Sequence, residues 1–290
     1  MKCPVCGSLK IKDVFLVCDT HGRHVINPQD NFQLVSCLDC EAVFIPDLTI
    51  NEEYYSKNYS NDYYEVESSI KPVSRLEHLL NKLSVKIKES LILKNFLRGD
   101  TKLKILDVGC GDGKFLENLD VRFFEKYGLE INPKGYGICK DKGLKVANKE
   151  LKNASFEDSF FDVVTLWHVI EHLKDPNETL GLIKKILKKE GVLMIATPDT
   201  DSLGFKFGKK YWFHLDVPRH LILYNKKSLS LLLEKAGFKV INDKNLSFDF
   251  PFDLFWSMRK SWLKYLVYPL YPFFKFFDRE TMLLIVKKKD

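Results

Sequence analysis

The chain has 290 residues, 45% hydrophobic and 29% charged, which suits one large domain or two modest ones and excludes a disordered polypeptide. Its net charge of +6 is unevenly spread: residues 1–50 carry −2 and residues 101–290 carry +8, so the N-terminal part lacks the basic patch of a nucleic-acid clamp. No run of 18 apolar residues occurs, and Met1 leads straight into Lys2-Cys3-Pro4-Val5 without the apolar stretch of a secretory leader, so a cytoplasmic chain without a membrane span is expected.

Two Cys-x-x-Cys pairs open the chain, Cys3-Pro-Val-Cys6 and Cys37-Leu-Asp-Cys40. Paired knuckles at this spacing bring four thiolates into the tetrahedron that structural zinc requires. The other reading is a pair of disulfides or free thiols, and a reducing compartment disfavours the disulfides. Cys18, His21 and His24 lie between the knuckles and could substitute as ligands, whereas Cys110 and Cys139 read as buried thiols. A four-thiolate site has no open position for chemistry. It would stabilise a ribbon over residues 1–50, too small to build its own core.

Residues 51–98 form a tyrosine-rich linker, with Tyr54, Tyr55, Tyr59, Tyr63 and Tyr64, followed by a helix. Leu76, Leu79, Leu80, Leu83, Ile87 and Leu91 recur at helical spacing from Ser74 to Leu97, with Ser74 and Glu77 placed for a capping box and Gly99 as the stop. Strands and helices then alternate. Strands are predicted over Lys104–Val108, Phe124–Leu129, Leu144–Ala147, Asp162–Leu166, Val192–Ala196, Phe238–Asn242 and Thr281–Val286. Helices are predicted over Lys114–Leu119, Asn177–Leu187 and Lys226–Ala236, the last closed by Gly237. Such alternation implies a parallel sheet with helices on both faces, here over residues 99–290.

The first of these strands runs into Asp107-Val-Gly109-Cys-Gly111-Asp-Gly113 and then a helix. Glycines there admit a ligand close to the backbone, and a helix start offers unpaired N–H groups. A glycine loop alone fits a dinucleotide or a mere turn. Asp107, before the first glycine, would repel a pyrophosphate and suits an ammonium. Glu130, after the next strand, is placed for both hydroxyls of a ribose. The two acids describe a nucleoside with a cationic tail.

In combination, Ile105-Leu-Asp-Val-Gly-Cys-Gly-Asp-Gly113, Tyr127-Gly-Leu-Glu130 and Phe161-Asp-Val-Val-Thr-Leu-Trp-His-Val-Ile-Glu-His172 resemble the successive motifs of class I S-adenosylmethionine-dependent methyltransferases. The likeness spans about residues 100–245 and the final strand. It implies a Rossmann-like α/β fold: a seven-stranded, mostly parallel sheet with the last strand antiparallel, helices on both faces, and the zinc ribbon attached. It also implies that Gly109, Gly111 and Gly113 cradle the methionine part of S-adenosylmethionine, with Asp107 in support and Cys110 within the loop. Glu130 and Ile131 would meet the ribose, Glu150 the adenine, and Trp167 and His168 the far side, with Tyr59 and Tyr63 closing over the ligand. Glu150 departs from the family's usual glycine–aspartate, since Lys149 precedes it.

His168, Glu171 and His172 lie at i, i+3 and i+4, so one helical turn would present all three. Quinone-biosynthesis O-methyltransferases hold a divalent metal with a similar cluster, but His168 stands where those enzymes have an acid. Glu171 and His172 fit equally a structural pair or a catalytic one. His220, in Asp216-Val-Pro-Arg-His220, matches a histidine placed near the acceptor mouth, with His214 a weaker candidate. A base among His168 and His220 is the expectation for methyl transfer. Residues 248–277 hold 13 of the chain's 38 aromatic residues, broken by Arg259, Lys260, Lys264 and Lys275. They read as a lid or homodimer surface, or as a segment resting on anionic lipid. The acceptor expected is a small molecule or glycan, such as a sugar nucleotide or lipid-linked saccharide. An RNA methyltransferase and a non-catalytic cofactor binder are the rival readings, and the acidic ribbon argues against RNA.

Overall fold

The computed structural model describes residues 1–17, 31–46, 48–51, 54, 58, 75–96 (only the backbone for 75–81), 101–246, 253–258, 260–270, 273 and 279–289. Cys18, His21, His24, Tyr59 and Tyr63, and the ends of the predicted capping at Ser74 and Gly99, lie outside the described residues.

The N-terminal part supplies β1 (Ile11–Val17), β2 (Phe32–Cys37) and β3 (Val43–Phe44), paired antiparallel in that order. Helix α1 (Arg75–Leu93) follows, and then the alternating region. This region gives β4 (Leu103–Val108), α2 (Lys114–Asn118), β5 (Phe124–Leu129), α3 (Pro133–Asp141) and β6 (Val146–Ala147). Next come β7 (Phe161–Trp167), α4 (Pro176–Ile186), β8 (Leu187–Pro198), β9 (Ile222–Leu223) and α5 (Lys226–Lys235). The chain closes with β10 (Phe238–Asn245), short helices α6 (Asp253–Met258) and α7 (Lys264–Val267), and β11 (Thr281–Lys288).

Seven strands form the main sheet in the order β10-β11-β8-β7-β4-β5-β6. All run parallel except β11, which is antiparallel to both β10 and β8. Central strands are covered on both faces, which explains why β7 and β8 read as continuous apolar runs rather than alternating ones. On one face Val85 and Ile92 of α1 pack with Phe115 and Leu116 of α2 and Cys139 of α3. On the other, Leu180 and Ile183 of α4 and Leu229, Leu232 and Leu233 of α5 share a core with Cys3, Val5, Cys37, Cys40 and Phe44. The second sheet, β1-β2-β3-β9, is completed by a strand from the methyltransferase-like region.

Several elements escaped the sequence pattern, helix α3 and strand β9 among them. Helix α3 carries Gly135 and Gly137, which blur its periodicity. Its start is nevertheless signalled by Asn132, whose side chain accepts from the N–H groups of Lys134 and Gly135, and by Pro133 in the first turn. Strand β9 is two residues long, too short for any periodicity. Strand β8 also begins earlier than Val192, because Leu187 pairs with Phe161 across a register shift. Among the described residues no helix is long and apolar enough to cross a membrane. The described part of 248–277 packs through Leu254, Met258 and Val267 onto Leu203, while Trp256, Trp262, Tyr265 and Phe273 are exposed.

Candidate functional site

Parallel strands end at one edge of the sheet, and the loops after β4, β5, β7 and β8 converge there. Gly109, Gly111 and Gly113 all take positive φ, at 72°, 58° and 75°. A Cβ on Gly113 would stand 2.5 Å from Leu144 Cδ1 and 2.9 Å from Cys139 Sγ, so the loop can be this tight only with glycine. The N–H groups of Gly109 and Cys110 both donate to Leu129 O, at 2.7 and 3.0 Å. The Cys110 side chain packs in the core with Phe115 and Leu116 and leaves only its backbone in the loop.

Glu130 links the two loops. Its carboxylate accepts from Gly111 N at 2.8 Å through one oxygen and from Asn132 N at 2.7 Å through the other. Burial pushes its pKa up, against those backbone bonds. Asp107 is also buried and accepts from Thr165 Oγ1 at 2.7 Å. Burial raises its pKa to about 7, opposed by the Thr165 bond and the charge of Lys88. Lys88 reaches in from α1, its ammonium 4.4 Å from the centre of the Trp167 ring. Trp167 Nε1 is buried and meets no hydrogen-bond acceptor among the described residues. Two desolvated carboxyls, three left-handed glycines and an unused indole N–H fit a ligand with a cationic end and hydroxyls. Ile131 is exposed at the rim. Glu150 sits farther along, paired with Lys152 at 2.6 Å, whereas Asn148 donates to the carbonyls of Glu130 and Ile131.

Beyond β7 the structure gathers four histidines, but not on one helical turn as their spacing suggests. His168 precedes the turn with φ 54°, a left-handed conformation that favours glycine, and only Ile170–His172 form a short 3-10 turn. His168 Nδ1 still reaches Glu171 Oε1 at 3.4 Å. Glu171 is fully buried and accepts from Thr197 Oγ1 at 3.0 Å. Burial works against its charge, but the His168 bond and nearby imidazoles hold its pKa below the ordinary range. His172 Nδ1 lies 3.0 Å from Arg219 O, and His220 Nδ1 lies 2.7 Å from His214 O. A carbonyl only accepts, so each Nδ1 carries the proton and each Nε2 is the basic nitrogen. Burial lowers the pKa of both, that of His172 to about 4, so both are neutral near pH 7. The rings meet edge to face at 4.6 Å. Asp216, at φ 33°, holds Arg219 through Nε at 3.0 Å. His214 stacks over His168 and bonds Asp253 of α6 at 3.2 Å.

Among the described residues, three groups place potential metal-ligand atoms within 4.8 Å of one another: Cys3, Cys6, Cys37 and Cys40; Glu171, His172 and His220; and His214, Asp253 and Glu280. Cys3 and Cys40 Sγ are 3.5 Å apart, and Cys6 and Cys37 Sγ 3.4 Å. Backbone N–H groups of Val5, Cys6, Asp39, Cys40 and Ala42 aim at these sulfurs, a donor set suited to four thiolates around one ion.

Sequence reasoning passed over Thr165, Asn148, Lys88 and Asp253. Lys88 was legible in principle, as a lysine on the helix face that carries Val85 and Ile92. Thr165, Asn148 and Asp253 had no signal, since nothing in a single sequence separates such a polar residue from its neighbours.

A family model described as a methyltransferase domain matches residues 76–242, more than half of the chain. The chain belongs to this family and is a class I S-adenosylmethionine-dependent methyltransferase. The ubiquinone biosynthesis O-methyltransferase of Azoarcus sp. is 26% identical over 160 residues, covering 50% of this chain and 68% of that one. Its counterpart in Pelagibacter ubique is 25% identical over 230 residues, covering 68% and 93%. Among solved structures, the 1,6-didemethyltoxoflavin-N1-methyltransferase of Burkholderia thailandensis, bound to its substrate and S-adenosylhomocysteine, aligns with a TM-score of 0.55. It is 13% identical and covers 87% of this chain and 98% of that one, a likeness of fold alone.

Replacing Gly113 by alanine forces an L-residue into the left-handed region against Leu144 and Cys139. Urea denaturation should show a loss of about 1–2 kcal/mol. An unchanged midpoint would mean that the loop relaxes freely.

Proposed function

We propose that the loop Gly109–Gly113, with Asp107, Glu130 and Trp167, binds S-adenosylmethionine, and that His172 and His220 face the acceptor. The single observation behind the cofactor assignment is the buried acid pair. Asp107 is left near neutrality by burial, and a bound cation would return it to its charged form. When bound, the cofactor supplies a methyl group on a sulfonium, open to in-line attack. Asp107 would hold the ammonium end, Glu130 would accept from ribose hydroxyls, and the glycine backbone would admit the chain between them. The basic Nε2 of His220, 3.9 Å from Asp216 Oδ2, or that of His172 would take the proton of the attacking acceptor atom. Tyr59, Tyr63 and Glu150 would complete the wall.

His220 is 7% exposed, a depth suited to a small group such as a phenol, sugar hydroxyl or amine. The low-identity relatives act in ubiquinone biosynthesis by name, which supports a small-molecule acceptor, and a glycan acceptor keeps the same chemistry. The four thiolates would hold zinc as a structural ion. The exposed Trp256, Trp262, Tyr265 and Phe273, near Lys260 and Lys264, support contact with an anionic lipid surface. Flotation with phosphatidylglycerol vesicles should carry the chain upward and do so less at high salt. A chain that stays at the bottom of the gradient contradicts the contact.

Calorimetric titration with S-adenosylhomocysteine tests the cofactor assignment. A one-to-one isotherm is expected for the native chain. Glu130→Ala should weaken it about 100-fold, since two or more charge-assisted bonds are lost; an unchanged isotherm would sink the assignment. The sign of the pH dependence follows from Asp107. In the free protein this group protonates near pH 7, so below that pH the ligand's ammonium must displace a proton. Affinity should therefore fall from pH 7 towards pH 5, by at most about tenfold per unit. A flat profile would remove Asp107 from the ammonium site.

A further inference from the structure

The ribbon is stitched to the segment that carries the histidines. Val43 and Phe44 of β3 pair with Leu223 and Ile222 of β9, and Ile45 N donates to Leu221 O at 3.1 Å. Leu221 N in turn donates to Glu171 O at 2.8 Å. One residue thus takes a bond from the ribbon on its carbonyl and gives one to the 3-10 turn on its N–H. The residue before it is His220, and the carbonyl two before it, Arg219 O, fixes the His172 ring.

Side chains reinforce the seam. Glu41, held at φ 68° directly after Cys40, accepts from Asn225 Nδ2 at 3.0 Å and Lys227 Nζ at 2.6 Å. Lys235 Nζ donates to the carbonyls of Val5 and Cys6, at 3.3 and 3.0 Å, inside the first knuckle. Tyr54 OH, past the ribbon, donates to Pro218 O at 3.1 Å. Tyr224, fully buried, belongs to the core shared by Cys3, Cys37 and Cys40. The cofactor side is built differently: the bonds that shape Gly109–Gly113 run to Leu129, Glu130, Cys139, Lys142 and the loop's own Cys110, all outside the ribbon, which meets this side through the apolar core it shares with Val108 and Leu129.

We infer that the four-cysteine ribbon is a wall of the acceptor side, and that Glu41 and the β3–β9 seam are positioning elements that hold His220 and His172 in register. This rests on the reading of those histidines as the acceptor side. The thiolate cluster fixes Cys40 and hence Glu41 and β3. Strand β3 holds β9, and β9 with Leu221 holds both histidines. Opening the cluster should loosen the histidine segment while leaving the glycine loop intact.

Backbone hydrogen–deuterium exchange on the full chain tests this in three forms: zinc-loaded, stripped with a chelator under reducing conditions, and zinc-loaded Glu41→Ala. S-adenosylhomocysteine binding is measured on each. In the stripped chain, exchange over 219–225 and 170–173 should rise at least about tenfold, while 103–113 and 124–131 change less than about threefold and binding is kept. Glu41→Ala, which removes the carboxylate that Asn225 and Lys227 donate to and none of the N–H groups aimed at the sulfurs, should raise exchange over 221–227 by at least about threefold with the ion still bound. Protection of 219–225 that survives stripping would overturn the inference, as would an unaltered Glu41→Ala chain. A uniform rise across 103–131 would also overturn it, making the ribbon a general stabiliser. If the zinc-loaded native chain fails to bind S-adenosylhomocysteine, the cofactor assignment fails, and the exchange arm still decides the wall.

Discussion

Two carboxyl groups, Asp107 and Glu130, are buried at the carboxyl ends of adjacent parallel strands, and much of the site is arranged around them. Burying a charge without a partner costs several kcal/mol, so each acid must be bonded, neutralised or completed by a ligand. Glu130 is bonded through both oxygens to backbone N–H groups of two loops. Asp107 has Thr165 and the distant charge of Lys88, and burial still leaves it close to neutrality. That shortfall is the physical reason to expect a cation in the pocket.

The histidine cluster follows another logic. Its histidines are oriented by main-chain carbonyls, which fix the tautomer without adding charge. Backbone geometry there is held by contacts from far along the chain: Glu171 through Thr197, Leu221 through Ile45, His214 through Asp253. Two residues at this site, His168 and Asp216, adopt left-handed φ, which persists only where surrounding structure over-determines it. The ribbon, the 3-10 turn and helix α6 supply that surrounding.

Much of this was legible in the residues. Strands of the main sheet declared themselves because parallel strands buried on both faces leave apolar runs, and the glycine loop because positive φ has few alternatives. Helix α3 was hidden by its own glycines, and β9 by its length. The spacing of His168, Glu171 and His172 suggested one helical face, whereas the turn breaks at His168 and brings the groups together through a left-handed residue. The partners of His214 and His220 could not be read at all, since Asp253 and the carbonyl of His214 come to them by tertiary packing.

Native mass spectrometry of the full chain tests the central claim most directly. With saturating S-adenosylhomocysteine, the folded charge states should carry one ligand and one zinc ion, and Glu130→Ala should lose the ligand while keeping the ion. Folded native protein that carries no ligand adduct would contradict the account.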